Sequence, residues 1–152
     1  GDLTSAPEGA APRFMIRALR DPDGANLDRV QIVKGWLDAD GSLKEKVHDV
    51  VWSGERRPGA NGKLPPVGNT VQGSRNTYSI REALLTGYWK DPDFDPSERA
   101  VYYVRVLEIP TPTWLAYDKA FYGDTIELPD DAVMVHQERA YTSPIWYTPG
   151  KN

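Results

Sequence analysis

The sequence predicts an all-β domain, mostly antiparallel, with an immunoglobulin-like β-sandwich architecture and one short helix. Three observations predict it. The first is punctuation: 13 Gly and 13 Pro in 152 residues divide the chain into many short segments, as in antiparallel β domains rather than helical bundles. The second is the run Ala100–Ile109, rich in β-branched and aromatic residues and closed by Pro110. Alternation sets Tyr102, Val104 and Val106 against Val101, Tyr103, Leu107 and Ile109, so both faces are largely apolar and a central strand covered on both sides is expected. The third is Asp38-Ala-Asp-Gly41, whose Asp-Gly pair suits the tight turns that match strand twist.

Taken in order, residues 1–12 are small and polar and read as a linker-like lead-in, and residues 13–149 as a single domain. Arg13–Arg20 is the first strand, with Phe14, Ile16 and Ala18 on one face. Asp21–Asp28 is a turn, because Pro22 presets φ and Gly24 and Asn26 tolerate positive φ. Arg29–Leu37 resumes a strand through Val30, Ile32 and Trp36, with Gly35 as a candidate bulge. Leu43–Trp52 returns from the hairpin, with Leu43, Val47 and Val51 alternating against Lys44, Lys46 and His48.

Ser53–Asn76 holds five Gly and three Pro in 24 residues without apolar periodicity, which reads as a long loop. Thr77–Ile80 is read as a short strand. Arg81–Lys90 opens like a helical turn on Glu82, Ala83 and Leu84 and ends extended through Tyr88 and Trp89. Trp114, Tyr117 and Phe121 recur at helical spacing, so Thr113–Tyr122 is expected to be one amphipathic helix capped by Thr113 and ended by Gly123. Ile126–Pro129 and Ala132–Val135 read as edge pieces, and Glu138–Tyr147 as a last strand interrupted by Pro144. The expected core is Phe14, Ile16, Val30, Ile32, Trp36, Val47, Val51, Trp52, Trp89, Tyr102, Val104, Val106 and Ile145.

Composition narrows the functional classes. With 18 basic and 22 acidic residues the net charge is −4, against the basic excess of nucleic-acid binders. No apolar run reaches membrane-spanning length. The absence of cysteine excludes disulfides, thiolate metal sites and a Cys nucleophile. Two histidines, His48 and His136, are too few for a His-rich metal centre. His48 reads as an ordinary histidine, and His136 shares a strand face with Glu138. No nucleophile-elbow, Walker or dinucleotide pattern is present. No catalytic or cofactor-binding residue is assigned, and no enzyme activity is expected of this chain alone.

Four features remain as candidates. Asp21, Asp23, Asn26 and Asp28 gather oxygen ligands of the kind calcium prefers, and Asp91, Asp93 and Asp95 recur every second residue; Asp and Asn are also the commonest turn formers. Arg56, Arg57, Lys63 and Arg75 give the long loop a local positive charge suited to an anionic ligand or a neighbouring domain. Five Trp and eight Tyr admit a carbohydrate-binding surface, with Trp114 and Trp146 the candidates. Arg105, Glu138 and Arg139 are the fourth, either the polar groups of an enzyme's cleft or strand-to-strand ion pairs.

Several stretches together resemble a known family: Asp21–Trp36, Val50–Gly54, Leu64–Thr70, Trp89–Pro96, Tyr103–Trp114 and Gln137–Tyr147. They are similar to the C-terminal region of a bacterial family designated domain of unknown function 3604. The resemblance implies a longer parent, whose N-terminal part is similar to metal-dependent hydrolases of the polymerase-and-histidinol-phosphatase type, with any divalent metal bound there. It implies an accessory domain whose partner is that N-terminal domain, and a parent that is exported or periplasmic. It places no catalytic residue in this chain.

Overall fold

The computed structural model describes residues 1–3, 10–77 and 81–150. Its strands are β1 (Asp2–Leu3), β2 (Arg13–Leu19), β3 (Leu27–Leu37), β4 (Leu43–Trp52), β5 (Val71–Gln72), β6 (Arg75–Asn76), β7 (Leu84–Lys90), β8 (Ala100–Glu108), β9 (Thr111–Pro112), β10 (Val135–His136), β11 (Arg139–Tyr141) and β12 (Ile145–Tyr147). One helix, α1 (Trp114–Tyr122), runs into a 3-10 turn at Gly123–Thr125. The all-β class with a single short helix is therefore what the chain adopts.

The main sheet has six strands in the order β1-β12-β8-β3-β4, with β11 also beside β8. Its hub is the run expected to be central. On one edge β8 pairs antiparallel with β3, setting Ile32 opposite Val104. On the other edge it pairs first with β12, Ile145 opposite Tyr102, and then with β11, Ala140 opposite Val106. β11 and β12 are the expected last strand, divided at Pro144, which has no N–H to give the ladder. Asp2 and Leu3 add a parallel strand beside β12, so these residues of the expected lead-in belong to the sheet.

β2 and β7 form the second layer, antiparallel with Phe14 opposite Trp89 and Ala18 opposite Leu85. The layers are unequal, six strands against two. Phe14, Ile16 and Ala18 face inward as alternation predicts, meeting Val30, Ile32, Leu85, Ala100, Tyr102 and Tyr147 in the core. β7 crosses close above β4 at Gly87, where a Cβ would stand 3.3 Å from Val51 Cβ. A smaller cluster of Ala25, Val67 and Ile109 pins the long loop to the end of β8.

Several expectations are corrected. Val47 is 41% exposed rather than core. The register shifts between Val30 and Gln31, where Val51 and Asp49 are their β4 partners. Val50 is thus an extra residue, and it turns Val51 inward while leaving Val47 on the outer face. Gly35 is in register and not a bulge; a Cβ there would come within 3.1 Å of Val101 Cγ1. β8 has the second layer over one face only, and Val101, Tyr103, Arg105 and Leu107 on the other are half-buried. No helical turn forms over Glu82–Leu84, and of the two edge pieces only Val135–His136 pairs, with β9. The strand expected over Thr77–Ile80 lies mostly outside the described residues. No described helix is long and apolar enough to cross a membrane.

Helix α1 spans the expected residues, and its aromatic stripe faces outward. Trp114 (73% exposed) and Phe121 (82%) face solvent, as does Tyr117, while Ala116 is the buried position. Thr113 stands at the N-cap without a side-chain cap bond; its hydroxyl donates to the Val133 carbonyl instead.

Candidate functional site

Three surfaces and clusters hold side chains with chemistry to offer. The first lies on the outer face of the main sheet. Arg105 on β8 is cross-strand partner to Tyr141, and Leu107 to Arg139, so Arg105 and Arg139 are diagonal neighbours on one face. They line a groove of about 590 Å³ with Leu107, Pro66, Val67 and Gln137. The Arg105 Nε donates to Gln31 Oε1 at 2.8 Å, and Gln31 Nε2 donates to Asp49 Oδ1 at 2.7 Å. Arg105 is thus held by a neutral amide and keeps its formal charge uncompensated. Among the described residues neither Arg105 nor Arg139 has a carboxylate partner.

The acids near that groove are held by other bases. Asp28, buried, takes Arg56 at 2.7 Å and Arg29 at 3.3 Å. Asp49 takes Arg29 at 3.3 Å and the Leu64 N–H. Arg29 also donates to the Leu64 and Pro65 carbonyls. Two guanidinium groups thus staple the loop to β3.

Arg56 is therefore turned inward, donating also to the Ser53 and Asp28 carbonyls. Arg57, Lys63 and Arg75, its companions in the cationic loop, are exposed. The four expected calcium ligands diverge. Asp21 Oδ1 accepts the Asp23 N–H of its own turn, Asn26 Oδ1 accepts from Arg20, and Asp28 belongs to the guanidinium network. Glu108 closes this turn from β8, accepting the Ala25 N–H at 3.0 Å; burial holds its carboxyl above the usual range. Glu138 does not share the groove with Arg105 but meets His136 at 3.3 Å, both exposed.

The second cluster starts between the layers, at the buried Lys34, Asp91 and Tyr102, and ends at the surface with Lys46 and Asp93. Lys34 on β3 is 2% exposed. Its Nζ lies 2.7 Å from Asp91 Oδ2 and donates to the Asp93 carbonyl. Tyr102 also donates to Asp91 Oδ2, at 2.7 Å, and burial together with that carboxylate raises its phenol pKa. Lys46 holds Asp93 at 2.5 Å, keeping its carboxyl below the usual range. His48 packs on Trp89 at 4.9 Å, and burial, with Lys46 nearby, lowers its pKa.

His48, Asp91 and Asp93 bring ligand atoms within 4.8 Å of one another. Each carboxylate already carries an ammonium group, so a divalent cation there would have to displace Lys34 and Lys46. The chemistry available is that of a buried polar clamp. It was the least visible part of the sequence. Its signal is Lys34 itself, a charge in phase with Ile32 and Trp36 on the core face of a strand.

The third surface is the aromatic stripe of α1, together with Trp146, 53% exposed on β12. Trp146 borders a separate groove of about 500 Å³ with Trp36, Leu37, Leu43 and Val101. Trp114 is not among the residues lining that groove.

The fold and these surfaces define an all-β domain whose described buried charges are paired within the chain, with exposed rings on α1 and β12 and two neighbouring arginines without carboxylate partners on the outer sheet face. Residues 1–149 match the family model described as Protein of unknown function (DUF3604), and the chain belongs to that family. No curated protein and no solved structure matches it.

Proposed function

We propose that this chain is an accessory, non-catalytic domain that docks through helix α1 onto another domain, the metal-dependent hydrolase domain implied for the longer parent. The observation that carries this is the aromatic stripe Trp114, Tyr117 and Phe121, one face of a helix left in water. Exposed contiguous apolar patches of this kind mark interaction sites, and Trp and Tyr are typical binding hot spots. Three such rings offer roughly 500 Å², more than half of the roughly 800 Å² each partner gives to a standard interface. The cationic loop packs on β9, the strand that leads into α1. Asn69 and Asn76 both donate to the Pro110 carbonyl, which fixes β5 and β6 beside the segment leading into α1 and leaves Arg75 outward.

The test is association of this chain with the separately produced N-terminal part of a longer family member. Binding is expected, weakened at least 100-fold by Trp114→Ala with Phe121→Ala, at an unchanged melting temperature. The isolated chain should show no hydrolase turnover with added divalent metal. Turnover, or binding indifferent to α1, would overturn the proposal.

A carbohydrate-binding module is the second reading, favoured by the exposure of Trp146 beside its apolar groove. It predicts a tryptophan fluorescence shift with a glycan that Trp146→Ala abolishes without unfolding the chain.

A further inference from the structure

We infer that the groove between Arg105 and Arg139 is a binding site for the carboxylate of a small organic acid. Nothing in this inference depends on the docking role of α1. On the sheet face the two arginines are diagonal cross-strand neighbours, with Cα atoms roughly 7–8 Å apart, a spacing one carboxylate can bridge. The Gln31 amide fixes Arg105 through Nε, which leaves its two terminal nitrogens as a prepared fork. That planar fork matches a carboxylate, which accepts two parallel N–H bonds.

The local acids do not neutralise it. Asp28 and Asp49 are engaged by Arg29, Arg56 and Gln31. Glu108 is on the opposite face of β8 from Leu107 and is bonded to the Ala25 N–H. Glu138, the chain neighbour of Arg139, is exposed and lies 3.3 Å from His136, not against either arginine. The two guanidinium charges thus stand side by side without a carboxylate partner in a protein of net charge −4.

The rest of the groove sets the kind of acid. Leu107, Pro66, Val67 and Pro110 give it one apolar side, which suits a carbon skeleton behind the carboxylate better than a bare inorganic oxoanion, while Gln31, Asn69, Gln137 and the Arg-paired Asp28 make the other side polar. Tyr141 stands beside Arg105 in the same cross-strand row, with Tyr103 at 6.3 Å from its ring, a surface for a flat or ring-shaped ligand. The volume of about 590 Å³ is in the range of small-molecule sites. A ligand bound only by the folded state raises the melting temperature by mass action.

The experiment is thermal unfolding and calorimetric titration of the whole chain with galacturonate, benzoate, galactose and inorganic phosphate at fixed ionic strength. A saturable shift with galacturonate or benzoate, at least tenfold tighter than with phosphate and absent with galactose, is expected. Arg139→Gln and Arg105→Lys should each weaken it about tenfold or more, the first by removing a charge and the second by removing the fork alone. Both should melt as the parent chain does without ligand. Trp114→Ala with Phe121→Ala should leave this binding intact, which separates it from docking. No shift with either acid, phosphate binding as tightly, or equal binding by Arg139→Gln overturns the assignment.

Discussion

Lys34 shows how one residue can govern the interior of this domain. A lysine in the core phase of β3 is tolerable only because Asp91 meets it at 2.7 Å, with both side chains almost wholly out of water. Removing one member of such a pair strands a buried charge, at a cost of about 3–5 kcal/mol, while replacing both by apolar groups is far milder. Lys34→Met should therefore lower the unfolding free energy by about 3–5 kcal/mol in urea titration, and Lys34→Met with Asp91→Asn, which removes both charges and keeps an oxygen for the Tyr102 hydroxyl, should recover part of it. Equal losses in the single and double variants would show that the pair is not the unit. His48 beside it gives the domain a pH response. Its folded pKa lies below 6.5, so in the window just under 6.5 the unfolded chain binds more protons than the folded one. Stability from this group is present above about pH 6.5 and is lost as pH falls through the folded pKa. The melting temperature of the parent chain should fall relative to His48→Gln as pH drops below about 6.5. Parallel curves would remove His48 from the account.

Among the elements, the crossing of β7 over β4 depends on a missing side chain. Gly87 faces Val51, and a Cβ would sit 3.3 Å from the rigid Val51 Cβ. Both positions are fixed by their ladders, so the strands would have to separate. Overpacking of this kind costs about 1–3 kcal/mol. Gly87→Ala is expected to destabilise by that amount in chemical denaturation, and Val51→Ala in the same chain to relieve part of it, although Val51→Ala alone destabilises. A neutral Gly87→Ala would mean the layers have slack. Strand positions were largely legible in the sequence, because alternation and turn residues act locally: β2, the β3–β4 hairpin and β8 lie where they were expected. Facing was less legible. One extra residue, Val50, reverses the phase between Val47 and Val51, and no local propensity distinguishes a bulge from a regular pair.

For the whole molecule, the question is what covers its outside. Helix α1 was placed to the residue from its spacing, yet spacing gives only the existence of an apolar stripe and not the direction it faces. Here Ala116 turns inward and the rings of Trp114, Tyr117 and Phe121 turn out. Left without a partner, that stripe should drive weak self-association. Sedimentation at rising concentration is expected to show reversible dimers, and Phe121→Ser should reduce them without changing the melting temperature. Dimers indifferent to Phe121 would place the sticky surface elsewhere, on the outer face of the main sheet. The candidate groove was legible only as a list: Arg105 and Arg139 are 34 positions apart, and it is the pairing of β11 with β8 that makes them neighbours.

By itself the sequence determined the all-β class, the central strand, the hairpin, the extent of the helix and the family, since each depends on residues adjacent in the chain or on long matching stretches. Tertiary structure alone decided which charges are neutralised. Asp28 was a calcium candidate until Arg56 reached it across the loop, and Arg56 was a surface cation until that same bond turned it inward. Asp91 and Lys34 were a turn former and a strand lysine until the fold brought them together. The physical reason is range. Strand and turn preferences act between chain neighbours, whereas an ion pair needs two groups within about 4 Å in space, and that distance does not exist until the layers close.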